Sequence, residues 1–140
     1  MVTLVHRHRR PFVLINALLI VGFAGGLLVA PGFLWGLVGV AQEGTPLGRV
    51  MAWYLLTFGV GGVLASRRPE RHPIVIALVG LEKVGPALVF PLLYATDRAN
   101  ALLAVVGGFD ALMAVVFLRY AWWLRTYLED STASGASENL

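Results

Sequence analysis

Four long stretches of this chain are almost entirely hydrocarbon, and the polar residues are gathered between them. The apolar runs cover residues 12–30, 47–66, 73–95 and 99–123. Each is close to the roughly 20 residues that a helix needs to cross the apolar part of a bilayer. A soluble helical domain spreads its charges along one face of every helix; here the charges avoid the runs altogether. The pattern predicts an all-α protein, an integral membrane four-helix bundle occupying residues 12–128.

The remaining segments fit around that bundle. After the first run comes Pro31-Gly32-Phe33-Leu34-Trp35-Gly36-Leu37-Val38-Gly39-Val40, followed by the polar Gln42-Glu43-Gly44-Thr45-Pro46. This segment is too short and too glycine-rich to span, and its Trp and Phe suit the membrane–water interface. A re-entrant or interfacial segment capping one end of the bundle is expected. Residues 1–11 form a basic end, and residues 129–140, rich in Ser, Ala, Gly and acid, read as a disordered tail. The basic head before the first run resembles that of a signal peptide. The run nevertheless exceeds the about 7–15 residues of a signal core and lacks a clear small-residue cleavage site, which favours a retained span.

Composition agrees. Of 140 residues, 58% are hydrophobic and 14% charged, against about 45–50% and about 25% in soluble domains. The formal charge of +3 does not point to nucleic acid, because the arginines sit in short clusters between apolar runs. Anionic lipid headgroups are the simpler partner. Arg7, Arg9, Arg10, Arg67, Arg68, Arg71, Arg119 and Arg125 fall on one side of a four-span layout, and Arg49 and Arg98 on the other. The positive-inside rule then puts both termini in the cytoplasm. With no cysteine, neither disulfide nor thiolate chemistry is open to the chain.

Chemistry concentrates in Leu81-Glu82-Lys83-Val84-Gly85-Pro86, inside the third run. An ionisable residue there costs at least about 2.5 kcal/mol on insertion scales, so it is expected to be paired or to face a cavity. Lys83 lies fourteen residues before Asp97 and Asp110 thirteen after it, which places the two at one depth in a tight hairpin and predicts an ion pair. Glu82 is rotated by about 100° from Lys83 and is expected to lack a cation. Pro86 cannot donate to the Glu82 carbonyl, so a kink with polar backbone facing a pocket is expected. Arg49, Trp53 and Thr57 share one helix face, which reads either as an interfacial arginine with a stacked Trp or as one wall of a pocket; Trp53 and Thr57 are the second-span polar groups nearest Glu82 in depth. The candidate ligand-binding residues are therefore Glu82, Lys83, Asp110, Arg49, Trp53 and Thr57, with Glu82 and Asp110 as candidate acids.

No histidine lies within a span, and no Walker loop, HExxH or GxSxG motif is present. No metal or cofactor is expected. The leading expectation is a non-catalytic accessory or assembly subunit. The alternatives are a binder or isomerase of a small hydrophobic molecule (lipid, sterol-like or quinone) and an oligomeric transporter of a small solute or ion. The charged centre reads either as a polar knot that fixes helix register or as the place where Glu82 and Asp110 meet a ligand.

Pro31-Gly32-Phe33-Leu34-Trp35-Gly36-Leu37 after the first span, Leu47-Gly48-Arg49 opening the second, and the Gly59–Gly62 run resemble the DoxX-like group of small four-span bacterial membrane proteins. The resemblance covers most of residues 12–123 in pattern. It implies a four-span inner-membrane protein and, through some members of that group, an accessory subunit beside quinone-linked electron transfer. The partners expected of the chain itself are membrane lipids, a small hydrophobic molecule, and a second copy of the chain (a homo-oligomer) or another membrane subunit.

Overall fold

The computed structural model describes residues 2–40 and 45–137; the polar loop at 41–44 and the last three residues lie outside them. Every regular element among the described residues is helical. Helix α1 covers Val2–Val29, α2 Pro31–Leu37, α3 Thr45–Arg67, α4 Pro73–Ala95 and α5 Ala101–Ser137, with a single 3₁₀ turn at Pro69–Arg71. Four of these helices are long and apolar enough to cross a membrane, through Arg10–Val29, Gly48–Arg67, Pro73–Ala95 and Ala101–Glu129. The chain is a multi-pass membrane four-helix bundle, with α2 as the short segment after the first span.

Both terminal helices extend beyond their apolar runs. The basic end is helical from Val2, continuous with the first span. At the other end α5 runs to Ser137, through most of the stretch that composition reads as disordered. Once a span is helical, each further residue adds a hydrogen bond without a new nucleation cost. Residues 129–134 contain neither glycine nor proline to stop the helix.

The helices pair as α1 with α3 and α4 with α5, and the two pairs meet chiefly through α3 and α4. The contiguous core between the pairs comprises Val13 and Ile20 of α1, Ala65 of α3, Ile76 and Val79 of α4, and five α5 residues from Met113 to Leu124. All lie toward the end of the bundle that carries both termini. There the Phe12 and Phe117 rings approach to 5.5 Å, and Arg10 reaches Glu70 at 3.3 Å. The Trp123 ring stacks between Tyr120 and Tyr127 at 6.1 and 5.8 Å.

The opposite end is closed by backbone hydrogen bonding. Asn100 caps α5 by accepting from the Leu102 N–H at 3.1 Å. It also donates its side-chain amide to the Leu37 carbonyl at 2.8 Å and its backbone N–H to the Val38 carbonyl at 2.9 Å. The C-terminus of α2 is thereby tied to the α4–α5 turn, where Asp97 takes the left-handed conformation at φ 55°, one that a short polar side chain tolerates.

Within each pair, glycine sets the approach. A Cβ on Gly59 of α3 would lie 2.7 Å from Val21 Cγ2 of α1, and one on Gly107 of α5 would lie 2.8 Å from Pro91 Cδ and 3.0 Å from Phe90 Cβ of α4. Absent side chains let these backbones touch, the usual means of helix association in lipid. Gly85, by contrast, has open space around its missing Cβ. Gly59→Leu and Gly107→Leu are each expected to lower stability by about 1–3 kcal/mol through overpacking, whereas Gly85→Ala leaves it unchanged or raises it by up to about 1 kcal/mol. Unfolding of the purified chain by denaturing detergent, followed by circular dichroism, measures all three.

Candidate functional site

Above the packed core, toward the α2 end, the two helix pairs separate and leave a cavity of about 550 Å³. All four spans and α2 contribute to it. Its charged and amide groups are Asn16 from α1, Glu82 and Lys83 from α4, and Asp110 from α5, and its remaining walls are aliphatic and aromatic, with the Trp35 indole and the Tyr54 phenol among them. Residue position along each helix shows how these are distributed. Asn16 is early in its span, and Glu82, Lys83 and Asp110 lie near mid-helix. Leu27, Trp35, Met51, Phe90 and Val106 lie toward the α2 end. The cavity has a polar floor resting on the core and an apolar shaft above it.

The floor is held by one cation. Lys83 Nζ lies 3.3 Å from Asp110 Oδ1 and 3.3 Å from Glu82 Oε2. Lys83 and Asp110 are only 8% and 7% exposed. The pairing of Lys83 with Asp110 follows the depth count along the hairpin. The isolation expected of Glu82 does not occur. Adjacent Cα–Cβ bonds do diverge, but the long lysine stem bends its ammonium back between both carboxylates. The centre therefore sets two carboxylates against one ammonium.

Two buried atoms at the floor lack a hydrogen-bond partner among the described residues: Asn16 Nδ2 and Glu82 Oε2. The second is charge-paired with Lys83 yet receives no well-aligned hydrogen bond. An unsatisfied buried polar group costs about 1–3 kcal/mol, so each atom favours whatever can complete it. The Glu82 carbonyl adds a further acceptor, because Pro86 has no N–H to offer it. Helix α4 nonetheless continues unbroken through Pro86 and Pro91 to Ala95.

Three of the six sequence candidates are not brought to this floor. Arg49, Trp53 and Thr57 lie on the exposed face of α3. Trp53 is 62% exposed, and the Thr57 hydroxyl donates to the Trp53 carbonyl at 2.9 Å within the same helix. The α3 residues that line the cavity are Met51, Tyr54, Leu55 and Phe58, with Tyr54 at its rim and 65% exposed. Depth counting finds the level of a residue but not the rotational phase of its helix. The spacing 51, 54, 55, 58 is itself a helical stripe of bulky residues and is the signal that could have found this wall. Asn16, the one strongly polar residue of the first span, faces the cavity with its amide donor unused.

Lys83→Met is expected to destabilise the fold by about 3–5 kcal/mol, because it leaves two buried carboxylates without a cation. Asp110→Asn, which leaves one carboxylate facing one ammonium, is expected to cost much less. The triple change Glu82→Gln, Lys83→Met, Asp110→Asn should recover most of the loss, as read from thermal unfolding in detergent. A Lys83→Met chain as stable as the parent overturns the bridging role. Set against family models, characterised proteins and solved structures, the chain matches none, so its function is argued from this geometry.

Proposed function

We propose that this protein binds one small, mainly apolar molecule inside its transmembrane bundle. The observation that carries the reading is the cavity of about 550 Å³ with polar groups gathered at one end. Small-molecule sites typically measure about 300–1,000 Å³, with mostly apolar walls and a few convergent polar groups that fix orientation. A bundle built only to fold has no need to hold its helix pairs apart above a charged floor. Leu19, Phe23 and Tyr54 line the cavity and are also exposed on the outside of the bundle, so the cavity opens sideways, where lipid lies. Access from the bilayer suits a ligand already dissolved in it.

Binding without turnover is compatible with an accessory role in a larger membrane assembly. The absence of a catalytic motif and the DoxX-like pattern at Pro31–Leu37 both favour that role. We place the protein in a bacterial inner membrane with both termini cytoplasmic. The support is the gathering of arginines at the termini end, where they seat against anionic headgroups.

Two measurements test these readings. Chain purified in mild detergent should release about one small apolar molecule per protein on solvent extraction, as read by mass spectrometry. Val106→Trp, which fills the shaft, should lose it, whereas Val115→Trp on the exposed face of α5 should keep it. Equal loading of the two variants sinks the binding reading. For orientation, the chain has no native cysteine, so single cysteines report cleanly. Asp97→Cys should react with an impermeant maleimide added to intact cells, and Arg71→Cys only after lysis; the reverse pattern overturns the orientation.

A further inference from the structure

We infer that the molecule taken by the cavity is an apolar alcohol, a chain or ring system whose hydroxyl rests on the Asn16–Glu82 floor; this rests on the binding reading above. The floor presents two unfilled hydrogen-bonding atoms of opposite kind. Asn16, 6% exposed, offers an N–H with no acceptor. Glu82 offers a carboxylate oxygen that is charge-paired with Lys83 at 3.3 Å but receives no well-aligned hydrogen bond, beside a main-chain carbonyl that Pro86 has left without its helical donor.

Head groups differ in how many of these needs they meet. An ammonium donates to Glu82 and offsets the floor's surplus negative charge, but it has no lone pair and leaves the Asn16 N–H without an acceptor. A ketone or quinone oxygen accepts from Asn16 but turns its lone pairs toward the Glu82 carboxylate. A carboxylate adds a third negative charge to a floor where one ammonium already serves two. A hydroxyl donates once and accepts through its lone pairs. It meets both needs and leaves the charge balance of the floor unaltered.

The shaft agrees with an alcohol of moderate length. Eleven residues separate Asn16 from Leu27, both on the cavity wall, which is about 16 Å of helix. The wall between carries the Phe58, Phe90 and Phe109 rings, with Trp35 of α2 at the far end. A hydroxyl held at mid-span loses its contact with interfacial water, and the polar floor replaces that contact in part. Lateral opening lets the body of the ligand enter from lipid without crossing water.

The test uses the full chain in lipid nanodiscs and a photoreactive diazirine alkane that labels the cavity walls. Dodecanol, dodecylamine and methyl decyl ketone compete for the label, which is read by intact-protein and peptide mass spectrometry. Dodecanol is expected to displace the label at a concentration about tenfold below the ketone, the ratio that one buried hydrogen bond supports, and below the amine. In Asn16→Leu the three are expected to converge within about threefold, while labelling itself persists and shows the cavity intact. Asn16→Ser, which restores a donor, should recover part of the preference. A parallel pair, a sterol and its ketone, decides whether the alcohol that binds is a ring system or a chain. Competition by amine or ketone equal to or better than the alcohols overturns the alcohol assignment and leaves binding standing. Labelling that no competitor displaces overturns both.

Discussion

Lys83 is the constraint on which the arrangement depends. Two carboxylates from different helices lie within a bilayer-spanning bundle, and each is tolerable there only because the same ammonium lies 3.3 Å away. Coulomb attraction at that distance is strong where water is scarce, and it acts between α4 and α5 at one fixed level. A slide of either helix by one turn moves Asp110 and Lys83 apart by about 5.4 Å and strands the Asp110 carboxylate, while the Lys83–Glu82 contact travels with α4. The register of the α4–α5 pair is therefore set by charge, and close packing at Gly107 and Gly80 follows from that register.

Among the described residues the second pair shows no comparable polar tie. Helices α1 and α3 are held by glycine contacts, with Gly59 against Val21 and Gly62 against Ala17, and by the short α2, whose end is fastened to Asn100. Because the pairs join through the aromatic and aliphatic core at the termini end and through backbone hydrogen bonds at the other, the space between them at mid-depth is not filled. Charge register thus decides where the cavity has its floor, and the two closures decide that it persists.

The floor also joins the structural and functional readings of the charged centre. Lys83 and Asp110 satisfy each other's charge, which is what a register-fixing knot requires. Glu82 and Asn16 keep one hydrogen-bonding atom each in reserve, which a knot does not require. The same cluster can fix the helices with one set of atoms and meet a guest molecule with another, at no additional buried charge.

Much of this was legible in the residues alone. Four apolar runs of bilayer length dictate four spans, because a backbone in hydrocarbon has to satisfy its own hydrogen bonds and a helix does so locally. Equal distances from Asp97 dictate that Lys83 meets Asp110, because helical rise is constant. Rotational phase was not legible. Whether Trp53 and Thr57 or Leu55 and Phe58 face inward depends on which stripe finds a complementary neighbour, and in lipid both stripes are apolar enough to face either way. The bend of the Lys83 stem toward Glu82, the unused amide of Asn16 and the cavity itself also arise only when separate helices come together. Local rules fix length, depth and pairing along one hairpin. The spacing between two hairpins is a property of their joint packing, and in this protein that spacing is where the candidate site lies.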